Sequence, residues 1–215
     1  MSPGLLLDQP LDLPLALFAL GVAFALQPWR ALGGKAPPWA WLLWWAFLPA
    51  LWGADRYVHM PLALPLSGGC LLMLMTGWPL AVLAFVPVAL LTMALGDLDA
   101  AEALHRLVWL GIAPATLAMA IGALLRRWLP NHLFVYILGR GFFGTAVASA
   151  LAGWLALALT GSAHGISGED QALGLWLAAW GDAWLAGILV AIFVAFKPEW
   201  LATYADRIYL PGKQA

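Results

Sequence analysis

Long apolar runs, with the charged residues gathered in the short stretches between them, set the tightest limit on what this chain can fold into. In hydrocarbon a backbone N–H or C=O finds no water, so each run must satisfy its own hydrogen bonds as a helix. None alternates with the period of a barrel strand. With 64% hydrophobic and 10% charged residues, the chain lies far from an ordinary soluble domain, and no nucleic-acid partner is expected. The expectation is an all-α, polytopic membrane bundle forming one domain over residues 1–215. Its spans are Leu11–Trp29, Pro38–Gly53, Leu62–Gly77, Trp78–Leu95, Leu104–Leu125, Leu133–Thr160 and Ala172–Phe196. Leu62–Gly77 is short for a crossing that takes about 20 residues. It also contains Pro65, Ser67, Gly68 and Gly69, so a broken or re-entrant segment is the alternative.

Basic residues alternate between loops. Arg30 and Lys35, then Arg126, Arg127 and Arg140, then Lys197, Arg207 and Lys213 fall on one side, against Arg56 and Arg106 on the other. The positive-inside rule then places the amino terminus outside and the carboxyl terminus in the cytoplasm. The outer loops carry Asp8, Asp12, Asp55, Asp97, Asp99, Glu102, Glu169 and Asp170. That rim would concentrate cations, or it is simply what remains when basic residues are kept inside. The first residues are acidic and no cleavage site comes after the first run, so no signal peptide is expected. Trp29, Trp39, Trp52, Trp78, Trp128 and Trp200 lie near span ends and read as interfacial anchors.

Asp182 is a lone carboxylate in the last apolar run, and such a group needs a cavity, a partner or an ion. The plainer reading is a hydrogen bond to a Trp N–H or a Thr hydroxyl. One cysteine, Cys70, excludes an internal disulfide and a Cys-based zinc cluster. Gly34-Lys35 lacks the rest of a Walker A motif, so any ATP hydrolysis belongs to another subunit. No HExxH, serine–histidine arrangement or paired carboxylates mark an enzyme. Gly139, Gly141 and Gly144, followed by Ala148, Ser149, Ala152 and Gly153, offer a small-residue face for close packing on another helix, within the chain or in a partner, and Arg140 reads as an arginine snorkelling to the headgroups or touching a partner subunit.

Gly77-Trp78-Pro79-Leu80 after a Gly-rich stretch, Leu129 to Tyr136 leading into Gly141-Phe142-Phe143-Gly144, and the closing Lys197-Pro198-Glu199-Trp200-Leu201 with Tyr209-Leu210 resemble short proteobacterial members of the CbiM-like energy-coupling-factor permease family. The resemblance covers roughly residues 61–210. It implies a seven-helix, substrate-capturing subunit for cobalt or nickel ions in the bacterial inner membrane. Such a subunit docks on a membrane coupling subunit and cytoplasmic ATPase subunits and has no catalytic residues. It also implies an amino-terminal Met-His chelate and a second histidine in the Gly-rich stretch. Here residue 2 is Ser2, and the position of the internal histidine falls near Pro65. Asp182 coincides with an acidic position of the short relatives.

Chemistry then nominates His59, Asp182, Cys70 and Met73 as metal ligands on one path. Imidazole suits cobalt or nickel, and thiolate and thioether suit softer ions. The competing reading of Cys70 and Met73 is core packing. His105 reads as a surface residue, His132 as part of a capped turn and His164 as a loop residue. After Pro198, Trp200, Leu201, Tyr204 and Ile208 share a side at helical spacing, which predicts an amphipathic helix on the headgroups; Arg140, Trp200 and Tyr204 are the candidate docking residues for the coupling subunit. The rival to the importer is a membrane accessory protein that keeps the fold without the metal site.

Overall fold

The computed structural model describes residues 11–31, 39–58, 65–130, 132–162 and 166–204. Among these the regular structure is entirely helical: besides the short helices Pro28–Ala31 and Ala54–Val58, it comprises α1 (Asp12–Ala25), α2 (Trp39–Trp52), α3 (Gly69–Thr76), α4 (Trp78–Gly96), α5 (Ala100–Trp128), α6 (Val135–Thr160) and α7 (Gly168–Phe196). Four of them, α4 to α7, are long and apolar enough to cross a membrane, and α1 and α2 are apolar helices of 14 residues each. The described part of the third expected span, residues 65–77, is not one continuous helix. Among its described residues, Pro65–Gly68 is irregular backbone and the eight residues of α3 are helical, about 12 Å of rise.

Size is sorted inside out. Ala16, Ala19 and Ala23 form the buried face of α1 against α4, while Leu17, Phe18 and Phe24 of the same helix point outward. Small residues inside let backbones approach and large apolar residues outside meet lipid. The small face read from the sequence packs within the chain: a Cβ on Gly153 would lie 3.0 Å from Leu175, one on Gly141 3.0 Å from Val190, and one on Gly187 2.9 Å from Phe142. Two π-helical stretches, Leu107–Ile112 in α5 and Val135–Phe143 in α6, interrupt this regularity. Such bulges gather at functional sites because they redirect carbonyls and side chains.

α3 is buried along nearly its whole length and held at both ends. At its carboxyl end the chain after α7 folds back, so that the amide of Ala202 donates to Met75 O, and the amide and hydroxyl of Thr203 both donate to Leu74 O. These bonds satisfy carbonyls that a helix end otherwise leaves open. They also explain why the expected amphipathic helix is absent over 201–204: a short 3₁₀ turn, Pro198–Trp200, gives way to backbone whose N–H groups are used across the chain. Leu201 and Tyr204 are buried here rather than laid on a surface; Ile208 lies outside the described residues. Thr203 also joins the Tyr136 hydroxyl at 2.8 Å. Thr203→Val keeps the volume and removes both hydroxyl bonds, so it should lower stability by about 1–3 kcal/mol, read as a lower thermal midpoint of the purified protein.

Trp29 and Trp128 are exposed, as anchors would be, but Trp52 is fully buried and donates its indole N–H to Ser67 O at 2.7 Å. With Trp44, whose indole donates to Gly68 O at 3.0 Å, it holds the irregular segment in place. A tryptophan near a span end and one reaching inward for a loop carbonyl look alike in sequence.

Candidate functional site

Two connected features make up the site: the buried carboxylate of Asp182 and a cleft beside it. α7 carries Asp182 inward on a face of small residues, Ala179, Ala183, Ala186 and Gly187, so the bundle closes tightly around it. Its Oδ1 accepts from the amide of Gly68 and its Oδ2 from the amide of Ser67 and the hydroxyl of Ser149, each at 3.1 Å. The partners are therefore the open amides ahead of α3 and one serine, neither a tryptophan N–H nor a threonine hydroxyl. A negative charge at a helix amino terminus is favoured by the aligned peptide dipoles. Asp182 thereby compensates irregular backbone that a bilayer interior tolerates only when it is buried in protein.

Cys70 shares this node through Ser149, whose Oγ lies 4.0 Å from Sγ, and its thiol donates to Pro114 O at 3.6 Å. Met73 is buried among core residues. His59 and His164 lie outside the described residues. Among the described residues no three of His, Cys, Asp and Glu gather as a ready metal ligand set.

Arg140 is buried at 6% exposure instead of snorkelling. It lies over Gly122, where a Cβ would come within 2.5 Å of its Nε. One guanidinium N–H reaches Thr203 O at 3.5 Å, and the group sits 5.4 Å from the centre of the Tyr136 ring. The missing side chain at Gly122 and the returning tail draw it inward. Of the candidate docking residues, Arg140 and Tyr204 are buried by the chain itself, and Trp200 is half-buried with its ring edge-on to Phe193.

The cleft, about 210 Å³, opens between the start of α5 and the facing ends of α6 and α7. One wall is polar, with Asp55, Glu102, His105 and Arg106; the other is apolar, with Ala156, Leu157 and Leu175. Pro65 and Leu110 also line it. They tie it to the carboxylate, because Leu110 O accepts from the Ser67 hydroxyl at 2.7 Å and Ser67 bonds Asp182. Arg106 organises the polar wall. It donates to both oxygens of Asp55 at 2.8 and 2.7 Å, to Glu102 Oε1 at 2.7 Å, and to Trp52 O. The exposed Arg56 takes the other oxygen of Glu102.

Burial raises the pKa of Asp55, but the hydrogen bonds and charge of Arg106 outweigh it and hold the carboxyl below its usual value. The unfolded chain therefore takes up this proton first, so the stabilisation is present near neutral pH and is lost as pH falls through the lowered folded value. Acidification should lower the thermal midpoint of the wild-type protein, and Asp55→Asn should flatten that dependence.

His105 departs from its reading as a surface residue. Its Nδ1 lies 2.8 Å from Asp12 Oδ2, and the indole of Trp109 donates to Asp12 Oδ1 at 2.8 Å. Asp12 is 2% exposed at the first turn of α1. Its sequence signal was an acid opening an apolar run; its partner, 93 positions away, had none.

No family model matches the chain, and no solved structure matches it. A stretch of 79 residues is 35% identical to the dipeptide and tripeptide permease B of Xenorhabdus bovienii (strain SS-2004). That stretch is 37% of this chain, and the match covers 16% of the permease.

Proposed function

We propose that the chain is the substrate-binding membrane component of an energy-coupling-factor type importer for a divalent transition metal ion of the cobalt or nickel class. ATP hydrolysis falls to cytoplasmic ATPase subunits, joined to this chain by a membrane coupling subunit. In this reading the broken segment with α3 completes seven passes alongside the six other helices. The amino terminus lies outside, the carboxyl terminus lies in the cytoplasm of the bacterial inner membrane, and the cleft faces outward.

One observation carries the proposal. The irregular backbone of Pro65–Gly68, which leads into the buried helix α3, is pinned by a buried carboxylate and borders a cleft walled by Asp55, Glu102 and His105. Irregular backbone at the inner end of a polar cleft is how membrane carriers place solute sites.

Cobalt and nickel accumulation in cells expressing the chain with its candidate partner subunits, compared with cells lacking only the chain, tests the reading. Uptake that depends on the chain supports it. Equal uptake in both favours the accessory role, which draws on a different observation: both Asp182 oxygens are already occupied by protein donors. If Asp182→Asn keeps full accumulation, Asp182 is no ion ligand and its part is to hold α3.

A further inference from the structure

We propose that the cleft holds a divalent transition metal ion on His105 Nε2 and one carboxylate oxygen of Glu102, with water completing the shell. The proposal rests on the importer reading for the ion's purpose, and on the cleft's own chemistry for its position. Glu102 and His105 stand three apart on the first turns of α5, which puts carboxylate and imidazole on one helical face, and both line the same cleft. A carboxylate and a histidine at this spacing recur as inward-facing metal ligands in helical bundles.

His105 is set up as a ligand by the group behind it. A metal-binding imidazole usually gives its other ring N–H to a carboxylate, which fixes the tautomer and raises the basicity of the free nitrogen. Asp12 is that carboxylate, buried and held in turn by Trp109. When the neutral ring donates from Nδ1 to Asp12, its lone pair lies on Nε2, for which no hydrogen bond is seen among the described residues. Imidazole with carboxylate favours cobalt, nickel, zinc or copper over magnesium or calcium.

Glu102 supplies the second ligand by giving up Arg56. That pair joins an exposed arginine to a half-buried glutamate at the cleft wall, and ion pairs open to solvent on one side contribute little. The hold of Arg106 on the other oxygen remains and orients the carboxylate. Asp55 stays with Arg106. Two protein ligands and water make a loading position from which an ion can leave.

Titration of the purified full-length protein with cobalt(II), monitored by calorimetry and by visible absorption, tests the site. One cobalt should bind. His105→Gln, which keeps a donor toward Asp12 without the ring nitrogen, should weaken binding at least about tenfold, and Asp12→Asn by about 10- to 100-fold. Arg56→Ala should tighten binding several-fold, because it frees the Glu102 oxygen and removes a positive charge; damage to folding would not do so. Absent binding, binding indifferent to His105→Gln, or weaker binding in Arg56→Ala overturns the proposal. Cellular uptake is read separately. Cobalt bound at His105 without any uptake keeps this site and removes the importer reading; uptake undiminished by His105→Gln removes this site and keeps the importer.

Discussion

Asp182→Leu should leave little folded protein, whereas Asp182→Asn should fold with a reduced thermal midpoint. Leucine is close in size, so the loss is one of acceptors. The amides of Ser67 and Gly68 would be buried without partners, while the Ser149 hydroxyl can rotate toward another oxygen. Each orphaned amide costs about 1–3 kcal/mol, so the pair removes about 2–6 kcal/mol. A typical native stability is about 5–15 kcal/mol, and the change consumes much of it. Asparagine keeps one acceptor and turns an amide nitrogen toward a donor, for about half the loss. The measurement is the fraction of purified protein still monodisperse after graded heating. A leucine variant as stable as the parent would show that the carboxylate does not hold the start of α3.

The sequence made part of this legible. A lone acid in an apolar run announces a buried partner, and Pro65, Gly68 and Gly69 announce a broken helix, because both signals arise from the way lipid treats polar groups. That the two features meet was not legible. Ser67 and Asp182 are 115 positions apart, and the partner atoms are backbone amides, which every residue except proline carries. The same holds for His105 with Asp12, and for the tail with α3. The π-helical stretches had no local signature either. Each adds a residue to a turn and so rotates the side chains near it, such as Arg140, which faces Gly122 instead of the headgroups. Helix existence is a local property of apolar runs. The site is a property of contacts between them.

α3 is where those contacts converge. Its amino end answers to Asp182 and, through Ser67 and Leu110, to the cleft; its carboxyl end answers to Thr203 and Ala202 of the returning tail. An element that spans only part of the bundle, yet bonds to groups at both of its ends, is a physical link between the cleft and the segment after α7. Variants at either end therefore test the same unit.

Gly68→Ala should destabilise the protein by about 2–6 kcal/mol, the second large effect expected. Gly68 has φ +59°, a left-handed conformation in which a Cβ costs about 1–3 kcal/mol. Space is the other term. A Cβ there would sit 2.6 Å from a methyl of Leu48 and 3.1 Å from the Trp44 ring, and Leu48 is fully buried. Overpacking of this kind adds about 1–3 kcal/mol. Any retreat of the loop to relieve the clash stretches the bond from the Gly68 amide to Asp182 and the bond from the Trp44 indole to Gly68 O. Gly21→Ala is the contrast: Gly21 is an exposed helical glycine with nothing within 4 Å of its Cβ position, and the change should stabilise by about 0.5–1 kcal/mol. Leu48→Ala separates the two terms at Gly68. Alone it should destabilise by about 2–5 kcal/mol through the cavity it leaves. Combined with Gly68→Ala it removes the methyl that the new Cβ meets, so the double variant should lose less than the sum of the single changes, and the shortfall measures the steric part. Strict additivity would assign the whole effect to the backbone conformation.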